Sequence, residues 1–274
     1  MCETCGCSVT PGNAHLVYGE GRLARTADGK TAVTVLQSLL HQNDQQAAHN
    51  RTHFDHYGVL AINLMSSPGA GKTALLEATL DALQDTLKVA VIEGDLETEN
   101  DAIRVRAKGV PVVQITTGSA CHLDAHMVHD ALHSLALEGV DILFIENVGN
   151  LVCPASFDLG HHFNVTLLSV TEGDDKPAKY PVMFRAADLL LLTKTDLLAV
   201  LDDFVPAVAE ENLRRLANPA PVLRVSARQG EGLAEWLAWL QQALAEQRAR
   251  HHHHPHAHHH HDHPHHDHHH DQHR

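Results

Sequence analysis

Seven short apolar, branched runs recur along the chain from residue 59 onward, and most of the gaps between them carry helical spacing. The runs are Val59–Met65, Val89–Glu93, Val112–Thr116, Ile142–Glu146, Val165–Val170, Leu189–Thr193 and Val222–Val225. Helical stretches include Ala74–Gln84, Ala102–Lys108, Leu123–Leu137, Phe204–Leu216 and Leu233–Gln247. Near-continuous apolar strands alternating with helices mean βαβ units and a parallel sheet covered on both faces. The pattern predicts an α/β domain over residues 58–248, doubly wound and mostly parallel, with about seven strands.

The flanks differ in composition. Residues 1–10 hold three of the five cysteines. Residues 11–57 are polar and read as a weakly structured arm or linker, with a short helix through residues 33–40. Residues 251–274 carry 16 of the 27 histidines, broken by Asp and Pro, and read as a native disordered tail. Twenty Lys and Arg against 34 Asp and Glu give a formal charge of -14, which excludes a nucleic-acid binder. No apolar run approaches the roughly 20 residues of a membrane span. The first residues lack a basic start and an apolar segment, so the expected location is the cytoplasm, with reduced thiols.

The first apolar run leads into Ser66-Ser67-Pro68-Gly69-Ala70-Gly71-Lys72-Thr73 and then a helix. Apart from Ser66 in place of the first glycine, this is a P-loop. Its glycines let backbone N–H groups close on phosphate oxygens, Lys72 reaches the β/γ-phosphates, and the Thr73 hydroxyl ligates Mg²⁺. Strand-end carboxylates Asp95 and Glu146 are candidates for Mg²⁺ and catalysis, and Gly149 for sensing the γ-phosphate. Thr193-Lys194-Thr195-Asp196 approximates the Asn-Lys-x-Asp element that reads guanine, with Thr193 in place of Asn. Ser226-Ala227 resembles the loop whose backbone reaches guanine O6. The nucleotide set is Pro68, Gly69, Ala70, Gly71, Lys72, Thr73, Gly149, Lys194, Asp196, Ser226 and Ala227, with GTP and GDP as ligands.

Soft-metal ligands form three groups. Cys2, Cys5 and Cys7 lie within six residues, and thiolates together with a free N-terminal amine would suit Ni²⁺. Cys121-His122 follows the third strand and Cys153 the fourth, loops that a doubly wound sheet brings together near the nucleotide. Two thiolates and an imidazole are an incomplete shell for Zn²⁺ or Ni²⁺, although each residue alone also fits an ordinary structural role. Tail histidines His251, His252, His253, His254, His258, His259, His260 and His261 offer neutral imidazoles for metal storage. His49, His53 and their neighbours look scattered, and His126, His129 and His133 read as a solvated helix face.

Taken together, Cys2-x-x-Cys5-Gly6-Cys7, the P-loop, Glu93-Gly94-Asp95, Cys121-His122, the stretch from Glu146 through Cys153-Pro154 and Thr193-Lys194-Thr195-Asp196 resemble the HypB family. The resemblance implies a Mg²⁺-dependent GTPase that delivers nickel during [NiFe] hydrogenase maturation. It also implies a HypA-type metallochaperone and the hydrogenase large subunit as partners, and a metal- or nucleotide-dependent homodimer. By residue match, Cys2, Cys5 and Cys7 would be the high-affinity nickel site, and Cys121, His122 and Cys153 the nickel/zinc site of the GTPase domain. Histidine-rich members more commonly carry their histidines ahead of that domain. The alternatives are a nickel or zinc storage protein, favoured by the tail, and a urease-type accessory GTPase, disfavoured by the thiol cluster.

Overall fold

Branched apolar side chains in short runs can bury both faces of a strand, and the chain uses them for an all-parallel sheet. A computed structural model describes residues 32–95, 100–118 and 120–252. The seven strands are β1 (Leu60–Ser66), β2 (Val89–Asp95), β3 (Val112–Thr116), β4 (Ile142–Glu146), β5 (Phe163–Ser169), β6 (Leu189–Thr193) and β7 (Val222–Val225), in the order β3-β2-β4-β1-β5-β6-β7. Helices are α1 (Ala32–Tyr57), α2 (Lys72–Leu83), α3 (Asn100–Arg106), α4 (Ala125–Leu132), α5 (Lys176–Lys179), α6 (Pro181–Arg185), α7 (Pro206–Arg215) and α8 (Leu233–His252). The sheet order reverses at β1, so the crevice beyond its C-terminal end is where a doubly wound fold binds its ligand.

Alternation along β1 separates the two cores. Leu60, Ile62 and Leu64 pack with Leu75, Leu76 and Leu80 of α2 and Trp236 and Leu240 of α8. Ala61 belongs to the opposite layer, with Phe54 of α1 and Val128 and Leu132 of α4. Fully burying one such side chain contributes about 1.5–3 kcal/mol.

The polar arm expected over residues 11–57 is corrected by α1, which continues to Tyr57 and packs against α4. Its buried face is Asn43, Ala47, Asn50 and Phe54, a helical spacing in which two of the four members are amides. Hydrophobic periodicity does not register such a face. Asn43 accepts from Ala125 N at 2.9 Å and donates to Asp158 O at 2.8 Å, while Asn50 donates to Ala125 O at 2.8 Å and Leu159 O at 3.1 Å. The Gly160 backbone comes so close to α1 that a Cβ there would lie 2.5 Å from Ala47 O. At the other end, α8 runs on to His252, so the first two residues of the expected disordered tail complete a helix. Residues 1–31 and 253–274, with Cys2, Cys5, Cys7, His253, His254, His258, His259, His260 and His261, lie outside the described residues. Among the described residues no helix is long and apolar enough to cross a membrane.

Candidate functional site

β1 ends at Ser66 and α2 begins at Lys72, leaving five residues to reverse direction. Gly69 (φ +76°) and Gly71 (φ +98°) take the left-handed conformations that the turn requires. No side chain caps α2, so its N-terminal amides open toward a cleft of ≈ 320 Å³. That cleft is lined by Pro68, Gly69 and Gly71 through Ala74 of the P-loop and the start of α2, by Glu93-Gly94-Asp95, by Asp101 and Arg104, and by Glu146 through Gly149. Lys72 Nζ donates to Ser66 Oγ at 3.0 Å, which gives the non-glycine first position a use. Gly149 lies so close to the loop that a Cβ would sit 2.9 Å from Pro68 Cα and N.

Strand order brings in a carboxylate that sequence reasoning left unassigned. Glu93 on β2 is the direct register partner of Glu146 on β4. Both are buried; desolvation, and then the facing Glu146 and Asp95, push the Glu93 carboxyl up to about 8. Desolvation raises Glu146 to about 7 against the pull of Lys72. Thr73 Oγ1 donates to Glu146 Oε1 at 3.0 Å, whereas Glu146 Oε2 and Glu93 Oε2 have no hydrogen-bond partner. Four carboxylates line a cleft with Lys72 and Arg104 as its cations. Unpartnered buried oxygens beside a threonine hydroxyl are a donor set that fits Mg²⁺, whose charge would favour the ionised form of both glutamates.

A second, more apolar pocket of ≈ 240 Å³ adjoins the loop, lined by Ala70, Gly71, Lys194, Asp196, Ser226 and Ala227 among others. Lys194 (φ 57°) bends its stem back over the P-loop and donates to Gly69 O at 2.6 Å. Ser226 Oγ donates to Asp196 Oδ1 at 2.7 Å, fixing the carboxylate at the pocket's edge. Thr193, which stands where guanine-reading elements carry Asn, donates to Ala70 O at 2.6 Å.

Cys121, His122 and Cys153 converge, with their ligand atoms all within 4.8 Å of one another. The two Sγ atoms are 3.1 Å apart, and His122 stacks on Phe157 with ring centroids at 3.9 Å. Burial lowers the His122 pKa, favouring the neutral imidazole that a metal needs.

Three contacts join this cluster to the nucleotide cleft. Leu123, the residue after His122, lies against Gly94, where a Cβ would stand 2.8 Å from Leu123 Cγ and Cδ1. The buried Asn147, directly after Glu146, accepts from Leu123 N at 3.1 Å and Val148 N at 3.0 Å and donates to Asn63 Oδ1 at 3.2 Å. Asn150 donates its N–H to Ser66 O at 2.8 Å and accepts from Cys153 N at 3.4 Å. Asn147 and Asn150 belong to the Glu146–Cys153 stretch that carries the family resemblance, but the sequence gives them no role, since buried amides acquire meaning only when their partners are known.

A parallel sheet carrying a phosphate loop and paired strand-end carboxylates at its switch point defines a P-loop nucleotide-binding domain, and the CobW/HypB/UreG nucleotide-binding domain model matches residues 60–224. A curated relative from Azotobacter vinelandii, hydrogenase maturation factor HypB, is 54% identical over 84% of this chain and 77% of its own length. The protein of that name from Escherichia coli K12 is 50% identical over 82% and 79%. The crystal structure of HypB from Helicobacter pylori in complex with nickel superposes with TM-score 0.72 at 44% identity, covering 76% of this chain and 97% of that one. HypB from Archaeoglobus fulgidus gives TM-score 0.70 at 36% identity over 75% and 100%. The chain belongs to the HypB family of hydrogenase maturation factors.

Proposed function

We propose that the chain hydrolyses GTP and uses the nucleotide state to control delivery of nickel to [NiFe] hydrogenase. The observation that carries this reading is the short path from the cleft to the thiolate cluster through Gly94–Leu123, Asn147 and Asn150. Phosphates would lie on the P-loop amides and Lys72, and guanine in the Lys194–Asp196–Ser226–Ala227 pocket, its N1–H and amino group donating to Asp196. Thr73, Glu146, Glu93 and Asp95 would hold Mg²⁺, whose positive charge offsets that of the β- and γ-phosphates. Gly149, pressed against Pro68, is the backbone element that would feel the γ-phosphate come and go.

Displacement of Gly149 would be passed to Asn150 and Cys153 on one side and through Asn147 to Leu123 on the other. Cys121 and His122 are thereby moved relative to Cys153, and the grip on nickel changes. Cys2, Cys5 and Cys7 and the tail histidines supply further nickel or zinc ligands, for high-affinity capture and storage respectively. A HypA-type metallochaperone and the hydrogenase large subunit are the proposed exchange partners, in the cytoplasm, with the nucleotide- or metal-dependent homodimer as the working form. The test is hydrogenase maturation by the Lys72→Ala variant at ample nickel. Loss of maturation with metal uptake retained supports the proposal, and normal maturation refutes it.

A further inference from the structure

The nucleotide cleft contains a cation to which the GTPase reading gives no task. Arg104 lies on α3, the helix that follows β2, and its side chain lines the cleft together with Lys72, Asp101, Glu146 and Gly149. The pocket beside Lys194 and Asp196 shares Gly71 and Ala74 with that cleft, so a nucleotide seated in both runs its phosphates from the first into the second. The γ-phosphate, farthest from the base, then ends in the part that holds Arg104. Desolvation raises the Glu146 carboxyl, and Arg104 acts against it alongside Lys72, so its charge is felt at the strand-end carboxylates. The guanidinium itself is held outside the proposed Mg²⁺ set. Its Nε and Nη2 donate to Oε1 and Oε2 of Glu77 on α2 at 3.2 and 2.5 Å, and Nη1 donates to Asp101 Oδ1 at 3.1 Å. With the Arg104 side chain 46% and the Asp101 side chain 40% exposed, these pairs are solvent-screened and easily exchanged. A γ-phosphate offers the same planar fork more charge and three acceptor oxygens.

We infer that Arg104 is a further catalytic residue, which leaves Glu77 and Asp101 for the γ-phosphate of bound GTP and stabilises the charge of the transferring group. The inference rests on the GTPase reading. In that reaction the oxygen of a water bonds to the γ-phosphorus as the bond to the β–γ bridging oxygen breaks. GDP departs with the electron pair, and a proton of the water is released to solvent. Charge spreads over the equatorial oxygens and gathers on the leaving oxygen, and an arginine supplied by the same chain meets it there. Lys72 is anchored at the base of the loop by Ser66 Oγ, which leaves the outer phosphate oxygens to a second cation. GDP has no γ-phosphate, so Arg104 serves turnover rather than product binding. The competing account makes Arg104 a strut between α2 and α3. Lys108, just after α3, already ties that segment to Asp81 of α2 at 2.6 Å.

The test is single-turnover GTP hydrolysis by the full-length chain with Mg²⁺, read beside the binding of GDP and of GDP–aluminium fluoride, a mimic of the transferring phosphoryl group. Arg104→Ala should slow hydrolysis by at least about 10²-fold. It should keep GDP affinity within about twofold and lose the aluminium fluoride complex. Glu77→Ala breaks the same ion pair from its other end, and should turn over at least as fast as the unchanged chain. Hydrolysis by Arg104→Ala within about threefold of the unchanged chain overturns the inference. So do equal losses in Arg104→Ala and Glu77→Ala, the mark of a strut. Absence of hydrolysis in the unchanged chain overturns the GTPase reading and this inference together, so the unchanged chain tells the two failures apart.

Discussion

The nucleotide cleft and the thiolate cluster lie on the same edge of one sheet, yet they are made differently. The phosphate loop is contiguous chain whose ligands are largely backbone amides, preset by Gly69 and Gly71 and by the start of α2. The thiolate cluster is assembled from side chains 32 positions apart, and its shape depends on two loops keeping their relative position. A site built from backbone is rigid before its ligand arrives, whereas a site shared between loops can be opened by moving either one. That contrast suits a device in which the nucleotide is the input and the metal grip the output.

The contrast predicts asymmetric damage. Lys72→Ala should cost about 10²–10³-fold in GTP turnover by removing a fixed charge, while thiolate-to-metal absorption at the Cys121–Cys153 pair stays within about twofold. Asp196→Ala removes a carboxylate that would accept two hydrogen bonds from guanine. GTP affinity measured by calorimetry should fall by about 2–4 kcal/mol, with ATP affinity barely changed. A smaller effect is expected between the sites. Asn147→Ala strands the Leu123 and Val148 amides and should lower stability in denaturant titration by about 1–3 kcal/mol. Its diagnostic consequence is that metal affinity ceases to depend on which nucleotide is bound.

The smallest expected effect is a pH dependence of the metal-free, nucleotide-free protein. Glu93 and Glu146 hold their protons to about 8 and about 7 when folded, against an ordinary value of 4.5. The folded state therefore binds more protons than the unfolded one, and stability falls as pH rises through that range. Melting temperature by calorimetry should decline from pH 7 to pH 9 in the presence of chelator, and Glu93→Gln should flatten the decline. An unchanged slope in that variant would mean that the Glu93–Glu146 pairing does not govern the titration.

What the sequence made legible follows the same division. The P-loop, the Lys194–Asp196 element and the seven strands rest on local spacing, and they appear with shifts of a few residues, as at β5, which starts at Phe163 rather than Val165. Cys121, His122 and Cys153 were legible as candidates from their residue types and their places after β3 and β4, although β2 lies between those two strands and the loops must reach across its end to meet. Glu93 was not, because its role depends on β2 lying beside β4 in direct register. The extent of α1 was hidden because Asn43 and Asn50 do the anchoring that apolar residues usually do.

Communication between the two sites is most directly tested in the full-length chain with Cys2, Cys5 and Cys7 changed to Ser, so that thiolate-to-metal absorption reports on Cys121 and Cys153 alone. Ni²⁺ would be titrated in the presence of Mg²⁺ with GDP and, separately, with a non-hydrolysable GTP analogue. Affinities that differ by about 5–150-fold, with the difference abolished by Asn147→Ala, are the predicted result. Identical affinities in the two nucleotide states would contradict it.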